Sequence, residues 1–258
     1  MKRKKKRRKK PKFEDQLKRI IKTPKEIRML KKSAKISDSC IKVIERALKR
    51  PNITEKQLAQ AINRNIKKQG AQLAFPTIVA CGKRSVYIHA KPTKKRIRGL
   101  GYADFGAKYK KYRTDITVPF VKGIGKEEQR ILDTTLHAYK IIIKSIRLGM
   151  YCWKLHDKLE KFLHARKYRV RHSLGHGIGL DIHELPTIGK PKRGKKYGPR
   201  KRKKWLRLKK LRFEPGMVFT IEPGVYVKGI GGCRFENDVL MTKRGPQALT
   251  HSKLIKIR

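Results

Sequence analysis

At 258 residues the chain is one large domain or two small ones, long enough to bury a real core. Its 71 Lys and Arg stand against 19 Asp and Glu, a formal net charge of +52. No stretch is long and apolar enough to span a membrane, the N-terminus lacks the apolar core of a signal peptide, and the four scattered cysteines (Cys40, Cys81, Cys152, Cys233) form no CxxC pair, which excludes zinc fingers and a disulfide framework and points to a reducing cytoplasm.

Residues 1–12 carry ten basic residues and no acid, and read as a disordered basic tail ahead of a folded domain over 13–258. Thr23-Pro24-Lys25-Glu26 has the pattern of a capping box with Pro at the first helical position, and Ile27, Leu30, Ala34, Ile41 and Ile44 then recur at helical spacing. Thr54 opens a second helix that Gly70 closes. A strand is expected over 75–81. A hairpin follows whose strands carry Asp104 and Asp115, with reversal expected at Tyr109-Lys110. Helices are predicted over 127–148 and 153–165. The segment 189–212 carries fourteen basic residues and no acid, interleaved with Tyr197, Trp205 and Leu206, and reads as a basic insertion loop. Strands are expected over 217–221, 238–241 and 254–257. Helix pairs followed by antiparallel strands, twice over, predict an α+β architecture in two halves, about 23–122 and 123–258.

With so few acids, their placement is informative. Asp104 sits in Tyr102-Ala103-Asp104-Phe105-Gly106 and Asp115 in Thr114-Asp115-Ile116-Thr117-Val118. Reversal at 109–110 would make them direct cross-strand partners, and two like charges that close repel unless a cation lies between them. His176 falls in Gly175-His176-Gly177-Ile178-Gly179, where three close-set glycines suggest a backbone that approaches a ligand. Glu222 ends the apolar run Val218-Phe219-Thr220-Ile221, and Glu236 starts another after Arg234-Phe235. A carboxylate in such surroundings is costly unless something positive neutralises it. Ion pairing with Lys or Arg is one answer, and a pair of divalent metals is the sharper one. Four carboxylates and an imidazole make a hard, oxygen-rich donor set suited to Mn, Co, Fe or Zn.

These stretches resemble the pita-bread metallopeptidases, which include methionine aminopeptidases, Xaa-Pro aminopeptidases and prolidases. The resemblance runs from about Thr23 to the C-terminus. It rests on the two aspartates spaced by eleven, the block Gly175-His176-Gly177-Ile178-Gly179 with His183-Glu184-Leu185-Pro186, the run from Pro215 to Gly224, and that from Arg234 to Thr242. It implies a pita-bread fold of two pseudo-symmetric halves and a dinuclear site. The family's ligands map onto Asp104, Asp115, His176, Glu222 and Glu236, with the matches of Asp115 and Glu236 bridging both ions. Glu222 matches a ligand that also shuttles the proton. His183 and His172 match histidines that face the substrate carbonyl, and His89 one near the substrate end of the cleft. Gly224-Val225-Tyr226, Gly231-Gly232 and Arg234-Phe235-Glu236-Asn237-Asp238 resemble the Xaa-Pro branch. The implied activity is a dinuclear-metal aminopeptidase of Xaa-Pro type acting on peptides. Methionine aminopeptidase is the alternative, and an inactive relative that binds RNA or the ribosome is the reading from another class.

The remaining histidines, His137, His156, His164 and His251, are expected on the surface or on a helix face. Asp181 and Asp238 are expected to be structural, and Glu184 either to support the metal ligands or to sit at the surface as a cap. The basic excess attracts polyanions without reading sequence, so RNA or ribosome association is one expectation and a compositional bias of the host the other.

Overall fold

In the computed structural model, which describes residues 12–190 and 199–257, a short helix, α1 (Phe13–Lys18), leads into two capped ones. The Thr23 hydroxyl accepts from the Glu26 amide while the Glu26 carboxylate accepts from the Thr23 amide, and Thr54 and Gln57 repeat the exchange. These capping boxes satisfy amides that the first helical turn leaves unpartnered. They open α2 (Pro24–Leu48) and α3 (Glu55–Lys68). The basic tail expected over 1–12 lies, except for Lys12, outside the described residues.

Strands β1 (Gln72–Leu73), β2 (Ile78–Cys81), β3 (Gly99–Phe105), β4 (Ala107–Tyr109), β5 (Tyr112–Arg113) and β6 (Ile116–Lys122) complete the first half. The second half repeats the order. It runs α4 (Lys126–Ser145), α5 (Cys152–His164), β7 (Gly175–Gly177), β8 (Glu184–Ile188), α6 (Pro199–Lys209), β9 (Val218–Ile221), β10 (Gly224–Val227), β11 (Gly231–Arg234), β12 (Asn237–Thr242), β13 (Gly245–Ala248) and β14 (Ile255–Ile257). The first sheet is antiparallel β2-β3-β6, to which β14 adds parallel on the outer side of β6. The second has the order β13-β12-β9-β7-β8. Each sheet is covered by its own helix pair. Ile44, Leu58 and Ile62 pack with Phe105, Val118 and Phe120 in the first half. Leu132, Ile142, Leu155 and Leu159 pack with Phe219, Ile221 and Val239 in the second. Burying each such side chain is worth about 1.5–3 kcal/mol. The α+β reading in two halves holds.

The hairpin differs from expectation by one residue. It reverses at Lys110-Lys111, whose φ values of 45° and 87° belong to a two-residue turn of the type that matches strand twist. The register therefore pairs Asp104 with Thr117 rather than with Asp115. Asp115 lies two residues before Thr117, diagonal to Asp104 across the hairpin.

Two further expectations change. The segment 189–212 is not all loop, because its described part includes the eleven-residue helix α6. The glycines around His176 serve strand packing rather than ligand approach: a Cβ on Gly175 would lie 2.0 Å from the Thr220 carbonyl oxygen, and one on Gly177 2.1 Å from that of Leu185. The two sheets meet where an isolated bridge pairs Thr117 with Glu236. There the Glu236 amide donates to the Thr117 carbonyl at 3.2 Å and the Asp115 amide to Asp238 Oδ2 at 3.1 Å.

Candidate metal centre

The sheet junction brings the five sequence-selected donors together. Asp104 comes from β3 and Asp115 from just ahead of β6. His176 comes from β7, Glu222 from the end of β9, and Glu236 from the link between β11 and β12. Asp115, His176 and Glu236 are buried and each offers an atom within 4.8 Å of the others. His176 Nδ1 donates to the Gly177 carbonyl at 3.1 Å, which leaves Nε2 with its lone pair towards the site. That nitrogen lies 3.5 Å from Glu222 Oε1 and 3.8 Å from Asp115 Oδ2. The Thr220 hydroxyl supports both residues, accepting from the His176 amide and donating to Glu222 Oε1.

Electrostatics sharpen the picture. Burial, then the charges of Glu236 and Asp104, raise the Asp115 carboxyl well above its ordinary range. Burial, then Glu222, does the same to Glu236. Burial raises Glu222 to about 7. His176 is pushed down to about 3 by burial, then by the neighbouring His183, and His172 to about 4 by burial, then by Arg234. Among the described residues, Asp104 Oδ1, Asp115 Oδ1 and Glu236 Oε1 are buried without a hydrogen-bond partner. A buried polar atom left so costs about 1–3 kcal/mol, and more when charged. Carboxylates crowded at high energy beside a neutral imidazole fit divalent cations.

The five candidate donors line a cleft of about 360 Å³ whose walls also include Phe75, Pro76, Ile78, Ile88 and Ile182. His183 also lines it, its ring edge-on to His176 at 4.3 Å between centroids. His89 is exposed on the wall beside Ala90 and Pro92. His172 touches the site through Glu222, with Nδ1 3.6 Å from Oε2.

One residue that sequence reasoning did not select ties these groups together. Arg234, only 2% exposed, donates to Asp104 Oδ2 at 2.5 Å, to the Tyr226 hydroxyl at 2.8 Å and to the Thr117 hydroxyl at 3.0 Å. The Thr117 hydroxyl donates in turn to Glu236 Oε2 at 2.6 Å, and the Tyr226 hydroxyl lies 3.0 Å from His172 Nε2. The available signal was an arginine inside the apolar run Cys233-Arg234-Phe235, obscured in a chain so rich in basic residues.

The family model for metallopeptidase family M24 matches residues 28–243. The chain belongs to this family. It is 35% identical over 241 residues to the Xaa-Pro dipeptidase of Pyrococcus furiosus, an alignment that covers 91% of this chain and 64% of that protein. The prolidase of Thermococcus sibiricus superposes with a TM-score of 0.82 at 29% identity, covering 94% of this chain and 64% of that one. The X-Pro aminopeptidase of Thermotoga maritima does so at 0.81 and 31%, covering 95% and 66%. These M24 neighbours give the chain its pita-bread fold. It spans less than two thirds of the length of the curated relatives it matches, 64% for the dipeptidase of Pyrococcus furiosus.

The other assignments divide. His137 and His164 are exposed, and His251 is exposed and pairs with Asp38 at 2.8 Å. His156 lies on a helix face, the buried one of α5, and its Nδ1 accepts from the Leu174 amide at 3.3 Å. Glu184 is buried rather than at the surface, paired with Lys22, and Asp181 pairs with Arg19. Asp238 holds the Asp115 amide, a structural role. All four cysteines are buried and unpaired. No helix of the described residues is long and apolar enough to cross a membrane.

Proposed function

We propose that this chain is a metal-dependent exopeptidase that cleaves the bond between an N-terminal residue and a following proline. The observation that carries the reading is the cluster of buried Asp115, His176 and Glu236, beside carboxylate oxygens left without a hydrogen-bond partner, in the lining of a cleft that also has apolar walls. Asp104, Asp115, His176, Glu222 and Glu236 would hold two divalent cations. Such a pair supplies Lewis acidity and lowers the pKa of a water towards neutrality.

The protein's own groups do the rest. Glu222 takes a proton from the attacking water and returns it to the leaving nitrogen. His183 faces the scissile carbonyl and donates to its oxygen as charge develops there. His172 is held by Tyr226 and steadies Glu222. The apolar wall excludes water and receives the proline ring, and His89 meets the chain beyond it. The likeness to an Xaa-Pro dipeptidase and to an X-Pro aminopeptidase supports proline specificity over methionine. The unpaired cysteines support action in a reducing cytoplasm.

The test is a panel of Ala-Pro, Ala-Pro-Ala and Met-Ala-Ser peptides with added Mn, Co, Fe or Zn. Cleavage of the proline peptides, abolished by chelator, is expected. Cleavage of Met-Ala-Ser alone would overturn the specificity, and no stoichiometric metal binding would overturn the enzyme.

A second association is carried by α6. It contains no acid, and Arg202, Lys203, Lys204 and Arg207 are exposed along it, on a chain of net charge +52. We infer sequence-independent binding of RNA through this helix and the remaining basic surface.

A further inference from the structure

Lys22 is a buried lysine whose charge is used away from the metal centre. Its Nζ donates to Glu184 Oε2 at 2.9 Å and to the Arg19 carbonyl at 2.7 Å. The two paired side chains are 2% and 3% exposed. Neither lines the cleft nor belongs to the donor cluster. Replacing a buried ion pair by well-packed apolar residues is often neutral or stabilising, so a contribution to stability does not account for this one. What it does is hold a loop.

Glu184 directly follows His183. Its second oxygen accepts from the Asp181 amide at 3.1 Å, which closes the loop back on itself. Arg19 holds the same loop through Asp181 at 3.0 Å. From the other side, the Arg113 amide donates to the Gly179 carbonyl at 2.8 Å and its guanidinium to that of Leu180. The loop fits against the pair without slack. A Cβ on Gly179 would lie 2.7 Å from Glu184 Oε2 and 3.1 Å from Lys22 Cε. Residues 179–184 are thus clamped between the segment that precedes α2 and the hairpin that carries Asp115. The His183 ring stands 4.3 Å from that of His176 at the end of this clamp.

We propose that the Lys22–Glu184 pair is a positioning device for His183, through which the segment ahead of α2 sets the rate of the chemical step. Lys22 is a positioning residue and touches no substrate. The inference rests on the reading of His183 as a group that acts on the scissile carbonyl. A displacement of about 1 Å at such a group costs up to about 10²-fold in rate.

The test uses the full chain loaded with Mn or Co and an Xaa-Pro-containing peptide, with the variants Lys22→Met, Lys22→Arg, Glu184→Gln, His183→Ala and Lys22→Met/His183→Ala. Lys22→Met is expected to keep its metal content and to lose kcat by roughly 10- to 100-fold with KM changed less, and Lys22→Arg to recover part of the loss. The double variant is expected to be no slower than His183→Ala alone, because a purely structural effect would multiply whereas a shared one would not. In histidine-labelled, metal-free protein, the His183 ring resonances are expected to shift in Lys22→Met while those of His251 do not. If Lys22→Met does not fold, Glu184→Gln, which keeps the side-chain volume, carries the same comparisons. Wild-type kcat in a folded Lys22→Met or Glu184→Gln, or losses that multiply with His183→Ala, would overturn the proposal. A His183→Ala variant as fast as the wild type would instead remove the role of His183 itself, a separate result.

Discussion

Arg234 Nη2 donates to Asp104 Oδ2 at 2.5 Å, while Oδ1 of the same carboxylate is buried without a hydrogen-bond partner. One oxygen is fixed by the protein, and in the proposed site the other would face a cation. The remaining guanidinium nitrogens reach Tyr226 and Thr117, and so touch the supports of both His172 and Glu236. Lysine cannot reproduce a planar fork with three partners. Arg234→Lys is expected to lower metal affinity or turnover by about 10- to 100-fold, read by competitive metal titration and peptide assay. Wild-type values in both would show that Asp104 does not depend on the fork.

Without metal, stability should fall as the pH rises through neutrality. Asp115 and Glu236 are raised well above the ordinary carboxylate range and Glu222 to about 7. The folded protein then keeps protons that the unfolded chain has released. The resulting stability is present below about pH 4 and lost as pH climbs through the folded values. His176, pushed down to about 3, and His172, to about 4, act in the opposite sense, but only below about pH 6.5, where unfolded imidazole is protonated. From about pH 6.5 to 8 the carboxylates decide the slope. Thermal unfolding in chelator should show a falling midpoint across this interval, and added Mn should raise the midpoint by an increment that grows over it. A pH-independent increment would mean that these carboxylates do not hold the ion.

Three histidines separate chemistry from packing. His183→Ala is expected to retain metal and slow turnover by roughly 10²–10⁴. His156→Ala removes a buried side chain and the weaker of two acceptors of the Leu174 amide, which keeps its bond to the Ile188 carbonyl at 2.9 Å, so it should cost about 1 kcal/mol of stability with a smaller effect on kcat. His164→Ala, at an exposed position on α5, should change neither. Denaturant unfolding and steady-state kinetics on the same three proteins make the distinction. A stable, slow His156→Ala would reverse the assignment.

Neutralising Lys203, Lys204 and Arg207 on α6 should reduce the salt dependence of RNA binding and leave cleavage of short peptides intact. For every single-strand phosphate that the variant no longer neutralises, the log–log slope should flatten by about 0.7. An unchanged slope would place binding on the rest of the basic surface, and undetectable binding near physiological salt would assign the charge to composition alone.

The candidate donors were legible because acids are scarce here and four of them fall within or at the ends of apolar strands. The helices were legible because Thr23 and Thr54 announce their own caps. What escaped the sequence depends on partners far along the chain. The turn at Lys110-Lys111 uses positive φ without the Gly or Asn that usually signals it, so the turn was placed one residue early and the partner of Asp104 two residues early. The helix α6 is polar on nearly all sides and lacks the apolar period by which a helix is recognised. The burial of His156 is decided by Leu174, and that of Lys22 by Glu184, 162 residues away. Neither neighbour is visible from the residues on either side.

The bridge between Thr117 and Glu236 also has a consequence in time. Asp104 and Asp115 leave the site of synthesis more than a hundred residues before Glu222 and Glu236. The β2-β3-β6 part of the first sheet can form early, with β14 joining last, yet it then carries two acids and no imidazole from this set. In the proposed site, a full donor set would exist only once Glu236 has emerged and the second sheet has docked, so a nascent chain would be spared from locking an ion into an incomplete site.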